Sequence, residues 1–284
     1  GPGHWTGGQV WPAARRIFDF LTAGDAAGWR FLKQRFLPDA DAEDAARATH
    51  VLELGSGTGW LGLNLRQFAR HRRGNDASSP SSGAPPLRWA MTLTEQAGDA
   101  MDWLVLNVDE HHPATAAADA DVTMKCDVLD WCDVRAFAAA VPTEERFDIV
   151  VGSDLLYHRV HIDLLREVFL AFLRSGDDEA SSSTRPARFV LYCHTFHRYD
   201  ILDLTFFNHL VCDVGLCVHE VCGGDTEVAF ELKPWSQVLA EESFMDELFG
   251  THRPAVMLIR PPPPGGEAAL AEEAAKVRSL GRDF

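Results

Sequence analysis

In the sequence HVLELGSGTG, residues 50–59, an apolar run passes directly into a glycine-rich turn. A helix-like stretch, residues 59–70, follows it. Glycines between a strand and a helix let the backbone approach a ligand closely and permit positive φ. The pattern therefore predicts a nucleotide-like ligand against the turn that contains Gly55, Ser56, Gly57 and Gly59. By itself the pattern does not say which nucleotide, because dinucleotide-binding turns look similar.

Strand-like and helix-like segments alternate along the chain. The strand-like runs are residues 50–54, 89–94, 122–126, 147–152, 187–193, 216–221 and 255–260. The helix-like stretches are residues 59–70, 96–109, 133–140, 162–173 and 205–211. This alternation predicts an α/β fold: a doubly wound, mostly parallel seven-stranded sheet with helices on both faces. The run EVAFEL, residues 227–232, is an extra strand or hairpin arm whose placement stays open.

Residues 1–260 are predicted to form one domain, interrupted by three low-complexity insertions at about 72–86, 113–121 and 175–186. Their Ser, Ala, Pro, Asp and Gly content cannot build a core, so mobile loops are expected. Each falls between a helix and the next strand, at the sheet edge opposite the one where ligands bind. Residues 261–284 form a Pro-rich C-terminal tail, for which a solvated tail is favoured over a docking segment.

Composition limits the partners of the chain. The formal net charge is −16 and lysine and arginine form no block, which argues against nucleic acid as a partner. Apolar runs are short and interrupted by charge, so no membrane span is expected, and no secretory signal is visible. Six cysteines without a C-x-x-C pair predict buried, reduced thiols in a cytoplasmic protein.

Acidic residues near the turn suggest the type of ligand. Glu53 lies two residues before the first glycine, where a carboxylate suits a cationic ligand better than a pyrophosphate. S-adenosylmethionine carries both an ammonium and a sulfonium, so it fits this position. The alternative is that Glu53 merely ends a strand.

The second and third strand-like runs each end near another candidate. Glu95 would accept hydrogen bonds from ribose hydroxyls. It lies 36 residues after Gly59, and 21 remain when the 15-residue insertion 72–86 is set aside, against roughly 20 in the usual unit. Asp130 could accept from an adenine amino group, and Trp131 offers an apolar wall or a core anchor. A solvated strand-end Glu95 is the alternative.

Several of these pieces together resemble a known family. They are LELGSGTGWLG, LTEQ, LDW and FDIVVGSDLLYH, with GGQVWPAARRIFDFL near the start. The combination resembles the class I seven-strand S-adenosylmethionine-dependent methyltransferases, and more narrowly the largely lysine-specific family 16 protein methyltransferases with a D-x-x-Y motif. That motif is residues 154–157 here. The similarity covers about residues 7–260, and the insertions and residues 233–254 depart from the usual pattern.

The resemblance implies S-adenosylmethionine as cofactor, S-adenosylhomocysteine as product, and in-line attack by a substrate nitrogen on the methyl group. It implies cofactor contacts from Trp11, Gly55, Gly57, Glu95, Trp131 and Ser153. A lysine amine has a pKa near ~10.4, so a site must dock the ammonium and then let it lose a proton. Asp154 is the expected docking group and Tyr157 the expected wall of the channel. The alternatives are a helix N-cap for Asp154 and a packed aromatic for Tyr157.

Other readings stay open beside this one. Four histidines occur at ligand-like spacing, but no carboxylate or thiol pattern completes a metal site, so we expect solvent-facing or rim residues: His158, His161, His194 and His197. Histidine, arginine or a small molecule are alternative methyl acceptors, and a non-catalytic cofactor-binding partner module is the alternative from another class. The turn GSDLLYH lacks the Asn-Pro-Pro-aromatic pattern usually associated with adenine or glutamine methylation. The expected partner of a monomeric enzyme is a protein substrate, either basic or a chaperone or translation factor.

Overall fold

The computed structural model describes eight segments of the chain: residues 10–37, 48–76, 88–111, 122–142, 145–173, 188–224, 229–241 and 252–280. Strands and helices alternate through the first five strands. In chain order they are α1 (Pro12–Phe36), β1 (Thr49–Leu54), α2 (Trp60–Asp76), β2 (Trp89–Glu95), α3 (Asp99–His111) and β3 (Val122–Val128), then α4 (Val134–Ala140), β4 (Ile149–Ser153), α5 (Val160–Leu173) and β5 (Phe189–Phe196). A single 3-10 turn, Trp131–Asp133, precedes α4.

The carboxyl-terminal part adds α6 (Asp200–Cys212), β6 (Cys217–Cys222), β7 (Glu231–Pro234), α7 (Trp235–Glu241), β8 (Arg253–Arg260) and α8 (Glu267–Ser279). All strands join one sheet in the order β3-β2-β1-β4-β5-β8-β6-β7. The strands from β1 to β5 pair in parallel, and β8 runs antiparallel to both β5 and β6. The predicted doubly wound, mostly parallel fold is confirmed. Its eighth strand, β7, pairs antiparallel with β6 at the edge and covers part of the run whose placement was open.

Two apolar layers cover the sheet, one on each side, so the central strands are buried on both faces. Side chains alternate along each strand, so Val51 faces one layer and Leu52 the other. In the same way Val150 and Leu191 belong to opposite layers. Residues of α1, α2 and α3 build one layer, and residues of α5, α6, α7 and α8 build the other. Continuous apolar runs such as 149–151 follow from this two-sided burial.

The register brings the carboxyl ends of the parallel strands together. Leu54 of β1 lies beside Gly152 of β4, and Ser153 at the end of β4 lies beside Cys193 of β5. On the other side, Glu95 at the end of β2 lies beside Val128 at the end of β3. Loops that follow β1, β2, β3 and β4 therefore meet at one edge of the sheet, where ligands bind in open α/β folds.

The C-terminal segment differs from the solvated tail that its composition favours. Helix α8 packs on α6 and α7, with Ala274 and Val277 buried. The Glu273 carboxylate accepts hydrogen bonds from the backbone N–H (2.7 Å) and the hydroxyl (2.8 Å) of Ser236 in α7. The alternative of a docking segment therefore describes this helix, because two buried apolar side chains and a partly buried carboxylate contact give it a packed face.

Part of the sequence-based organisation falls outside the described residues. The insertions 113–121 and 175–186 and most of 72–86 lie there, and so do residues 242–251 of the added stretch 233–254. Helix α2 continues to Asp76, so the first insertion begins later than the composition indicates. Among the described residues, no helix combines the length and apolarity that crossing a bilayer requires.

Candidate active site

A cavity of about 490 Å³ opens at the carboxyl edge of the sheet. Its size falls in the usual range of small-molecule sites. Eleven of the twelve predicted site residues line it: Trp11, Glu53, Gly55, Ser56, Gly57, Glu95, Asp130, Trp131, Ser153, Asp154 and Tyr157. Gly59 is the exception. Further lining residues include Thr58, Gln96, Leu129 and Leu155, and His161, which was expected to be solvent-facing or at the rim, also lines the cavity.

The glycine-rich turn has the backbone that its sequence predicts. Gly55, Gly57 and Gly59 have φ of 57°, 55° and 75°, the left-handed region that disfavours residues with a Cβ. A methyl group on Gly55 would lie 2.7 Å from Cδ2 of Leu155, so the loop after β4 packs directly on this turn. At Gly59 the obstacle is Leu104 of α3, 2.8 Å away. Gly59 thus serves helix packing and not the cavity wall.

Hydrogen bonds hold the turn against β2. The Ser56 backbone N–H donates to the Thr94 carbonyl (2.9 Å), and the Thr94 backbone N–H donates to the Ser56 hydroxyl (3.1 Å). The Thr94 hydroxyl donates to the carbonyl of Glu53 (2.7 Å). From α3, the Asn107 amide donates to the Thr58 carbonyl (3.0 Å). The Ser56 side chain is therefore engaged in fixing the turn, although the residue lines the cavity.

Glu95 connects the end of β2 to the glycine-rich turn. One carboxylate oxygen accepts from the backbone N–H of Gly57 (3.0 Å) and the other from that of Gln96 (3.0 Å). The side chain is partly exposed at the cavity wall. A carboxylate has about four acceptor sites, so these two bonds leave capacity for ligand hydroxyls. Glu95 is thus fixed in place and can still accept.

Glu53 is buried at the inner end of the cavity, with 4% of its surface exposed. Its Oε2 has no hydrogen-bond partner among the described residues. Burial, then the nearby charge of Glu95, raises the pKa of Glu53 from 4.5 to about 8, while a hydrogen bond from the Gly62 backbone acts in the opposite direction. A buried acceptor without a partner is costly, and a cationic group beside it would supply both a donor and a compensating charge.

The loop after β3 supplies a polar and an aromatic wall. The Asp130 carboxylate accepts from the backbone N–H of Cys132 (2.9 Å) through Oδ1 and so caps the 3-10 turn. The Asp130 residue is exposed. Trp131 is half-buried, packs against the core and meets the ring of His161 edge-on at 5.7 Å. Trp131 is therefore both a wall of the cavity and an anchor to the core.

Asp154 differs from the docking group that the sequence predicts. Its carboxylate accepts from the Thr195 backbone N–H (2.8 Å), the Thr195 hydroxyl (2.8 Å) and the Arg198 guanidinium (3.2 Å). Only 2% of the side chain is exposed, so an incoming ammonium cannot reach the carboxylate in this arrangement. The residue has φ of 50° and α5 begins only at Val160, so Asp154 is not a helix N-cap either. Its function here is to join the ends of β4 and β5.

The mouth of the cavity is formed by aromatic side chains. Tyr157 is 46% exposed and its ring meets that of His161 edge-on at 4.6 Å. Burial, then Glu95, raises the pKa of Tyr157. Burial, then the neighbouring His158, lowers the pKa of His161, with partial opposition from a backbone hydrogen bond to Leu155. Both side chains are therefore neutral at neutral pH, and they place no positive charge at the mouth.

A buried polar network that the sequence did not predict lies beneath the D-x-x-Y motif. The Tyr192 hydroxyl accepts from the backbone N–H groups of Leu155 and Leu156 (3.2 Å each). It therefore donates its own hydrogen to Nδ1 of His194 (3.2 Å), whose Nε2 lies 2.6 Å from Oδ1 of Asp203. The expectation that His194 is a rim residue is wrong, because only 2% of it is exposed. Polar residues inside the otherwise apolar run FVLYCHTF were the available signal.

In the part of the chain that the structure describes, the cysteines and the remaining predicted histidines form no second site. None of the six cysteines is in a disulfide, but only Cys193 is buried and Cys132 is exposed, so the expectation of buried thiols is wrong for most of them. His158 is exposed and His197 is intermediate. Within the described segments, no group of three His, Cys, Asp or Glu side chains is arranged to hold a metal ion.

The wall of the cavity fits a cationic nucleoside. Its described lining includes the acids Glu53, Glu95, Asp130 and Asp154, the last already paired with Arg198, and no lysine or arginine. A diphosphate would meet repulsion here, whereas the ammonium and sulfonium of S-adenosylmethionine would not. The strand order and this wall fit the class that the sequence resemblance implies, a Rossmann-like class I methyltransferase.

Comparison with known families agrees with this class. The sequence model of methyltransferase family 16, described as lysine methyltransferase, matches residues 3–211. Because the match covers more than half of the chain, the protein belongs to this family. Family membership implies methyl transfer with S-adenosylmethionine. Among curated proteins, no match to the chain was found.

Proposed function

We propose that the chain transfers a methyl group from S-adenosylmethionine to the side-chain amine of a lysine in a protein substrate, leaving S-adenosylhomocysteine. The observation that carries the proposal is Glu53, a buried carboxyl whose Oε2 has no partner among the described residues, in a cavity lined by four acids. The family description supports lysine as the acceptor.

The chain's own residues would hold the cofactor in a defined order along the sheet edge. Glu53 would face the methionine ammonium, and Glu95 the ribose hydroxyls. Asp130 and Trp131 would face the adenine. Trp11, which precedes α1, would close the side of the cavity that α1 borders. When bound, the cofactor supplies an electrophilic methyl group on a sulfonium. The protein positions the cofactor and the acceptor and supplies a negatively charged environment, because the reactive group belongs to the cofactor itself.

The acceptor amine would enter past Tyr157 and His161. A lysine ammonium must lose its proton before it attacks, because its pKa is near ~10.4. The mouth attracts the ammonium through the acidic wall and the aromatic faces, and neutral His161 does not repel it. The net charge of −16 favours a basic protein as substrate.

Two measurements test the proposal. Calorimetric titration with S-adenosylhomocysteine tests the cavity directly, and Glu95→Gln is the matched variant because it can still accept from Gly57 while losing the charge. Incubation of the protein with methyl-labelled S-adenosylmethionine and a cell lysate, followed by acid hydrolysis of the labelled proteins, tests the acceptor. We expect binding by the wild type, weaker binding by Glu95→Gln, and label in methyl-lysine.

Each alternative predicts a different result. Label in methyl-histidine or methyl-arginine would contradict the lysine assignment but keep the protein methyltransferase. Label confined to small molecules would contradict a protein substrate. Binding of S-adenosylhomocysteine without any transfer would favour a non-catalytic partner module, and no binding at all would contradict the cofactor.

A further inference from the structure

Arg198 lies where three chain segments meet beside the cavity. It belongs to the short stretch between β5 and α6, which begins with the positive-φ residue His197 (φ 65°). Its guanidinium donates to Oδ2 of Asp154 (3.2 Å), and its Cζ lies 5.0 Å from the ring centre of Trp11. One side chain thus contacts both the motif after β4 and the amino-terminal segment.

The Asp154 side of this junction is rigid. Thr195 donates to Asp154 through both its backbone N–H and its hydroxyl, at 2.8 Å each. The Asp154 side chain is 2% exposed and that of Arg198 is 18% exposed, so the ion pair is largely shielded from water. A guanidinium held at one end by a fixed carboxylate has few rotamers left, which makes it a suitable support for a ring.

The Trp11 side depends on this support. Trp11 precedes Pro12, the first residue of α1, and its carbonyl accepts from the backbone N–H of Ala14 (3.1 Å), which fixes its backbone. The ring is not fixed by these bonds, and it is half-buried at the cavity wall. The guanidinium over its face supplies a cation–π contact that selects one ring orientation.

We propose that Arg198 is a positioning residue, which holds the ring of Trp11 against the cofactor cavity and ties it through Asp154 to the motif that presents Tyr157. The inference rests on the proposed function for its effect on cofactor affinity. Its structural part, the orientation of Trp11, is independent of any ligand. Asp154 accordingly acts through Arg198 and Thr195 and not by binding the substrate amine.

The ligand-free test uses protein labelled with 5-fluorotryptophan and observed by fluorine NMR. The chain has eight tryptophans, and Trp11→Phe identifies the resonance of Trp11. We expect Arg198→Ala to shift the Trp11 resonance and to leave the resonances of the buried Trp29 and Trp235 in place. Arg159→Ala, which removes an exposed arginine just before α5, is the matched control and should shift none of them.

The second test is a double-mutant cycle on the affinity for S-adenosylhomocysteine. We expect Arg198→Ala and Trp11→Ala each to weaken binding by roughly three- to thirty-fold, and the double variant to be little weaker than Trp11→Ala alone. Melting temperatures check that the variants are folded, and Arg198→Gln replaces Arg198→Ala if that variant does not fold.

The inference would be overturned if the Trp11 resonance stayed in place in the folded Arg198 variant. It would also be overturned if the fold-losses of affinity of Arg198→Ala and Trp11→Ala multiplied in the double variant, since the two residues would then act independently. In both cases the proposed function would stand if the wild type binds S-adenosylhomocysteine. A wild type that does not bind it, with a shifted Trp11 resonance, would overturn the proposed function while keeping the contact between Arg198 and Trp11.

Discussion

Replacing Glu53 by glutamine should stabilise the ligand-free protein in a pH-dependent manner. Glutamine has nearly the same shape as the protonated carboxyl and never ionises. The pKa of Glu53 is raised by burial from 4.5 to about 8 in the folded protein, so folding favours the protonated form. The contribution of protonated Glu53 to the stability of the wild type is therefore fully present below pH 4.5 and is lost as the pH rises toward 8. The variant does not have this loss.

The size of the effect follows from the raised pKa. At about 1.4 kcal/mol for each pH unit, a rise from 4.5 to about 8 gives an upper limit of roughly 5 kcal/mol. The full value is reached only above pH 8, and water that reaches the cavity reduces it, so we expect a difference of about 2–4 kcal/mol at pH 8 and less than about 1 kcal/mol at pH 5. Against a typical total stability of about 5–15 kcal/mol, such a difference is easily measured.

Urea unfolding of both proteins at pH 5, 6, 7 and 8 measures the difference directly, because other titrating groups contribute equally to both. A difference in unfolding free energy that stays constant from pH 5 to pH 8 would refute the argument.

Ligand binding should favour the ionised form of Glu53, whereas folding without a ligand favours the protonated form. Calorimetry in buffers of different ionisation enthalpy should detect release of nearly one proton when the wild type binds S-adenosylhomocysteine at pH 7, and Glu53→Gln should bind more weakly without proton release.

Three further substitutions test the glycine-rich turn, the buried polar network and the docking of α8. Gly55→Ala places a methyl group 2.7 Å from Leu155 at φ 57°, so it should lose about 1–3 kcal/mol of unfolding free energy and most ligand affinity. Gly98→Ala is also strained, at φ 117°, but has open space around it, so it should lose stability and keep the affinity. Tyr192→Phe leaves two buried N–H groups without an acceptor and should lose about 1–3 kcal/mol in urea unfolding; an unchanged midpoint would contradict the network. Val277→Asp should lower the melting temperature by several degrees if α8 is docked in solution, unlike Ala275→Asp on its exposed side.

The sequence predicted those parts of the site that depend on local order along the chain. Glu53 is the penultimate residue of β1 and Glu95 the last residue of β2, and the carboxyl ends of parallel strands meet at one edge whatever the intervening loops contain. The glycines at 55 and 57 needed only the strand–turn–helix context. These features follow from periodicity and strand direction, so the insertions did not obscure them.

The parts that the sequence did not predict depend on contacts between distant residues. Arg198 and Asp154 are 44 positions apart, and Tyr192 and Leu155 are 37 apart. No periodic pattern connects such pairs, because their contact depends on how β4 and β5 align in the sheet. For α8, the alanine-rich stretch has only two buried side chains, so its pattern could not distinguish a docked helix from a solvated one.

The two acids nearest the chemistry show why position alone does not assign a role. Sequence placed Asp154 at the expected docking position and left open that Glu53 merely ended a strand. In the structure, Asp154 has three donors, one of them a neutralising arginine, whereas Glu53 has a buried oxygen without a partner among the described residues. A carboxylate already satisfied by its own protein gains little from a cationic ligand, and one left unsatisfied gains the most. We therefore expect the attraction for a cation to lie at the inner end of the cavity, under the glycine-rich turn, and the D-x-x-Y motif to contribute mainly the geometry of the mouth.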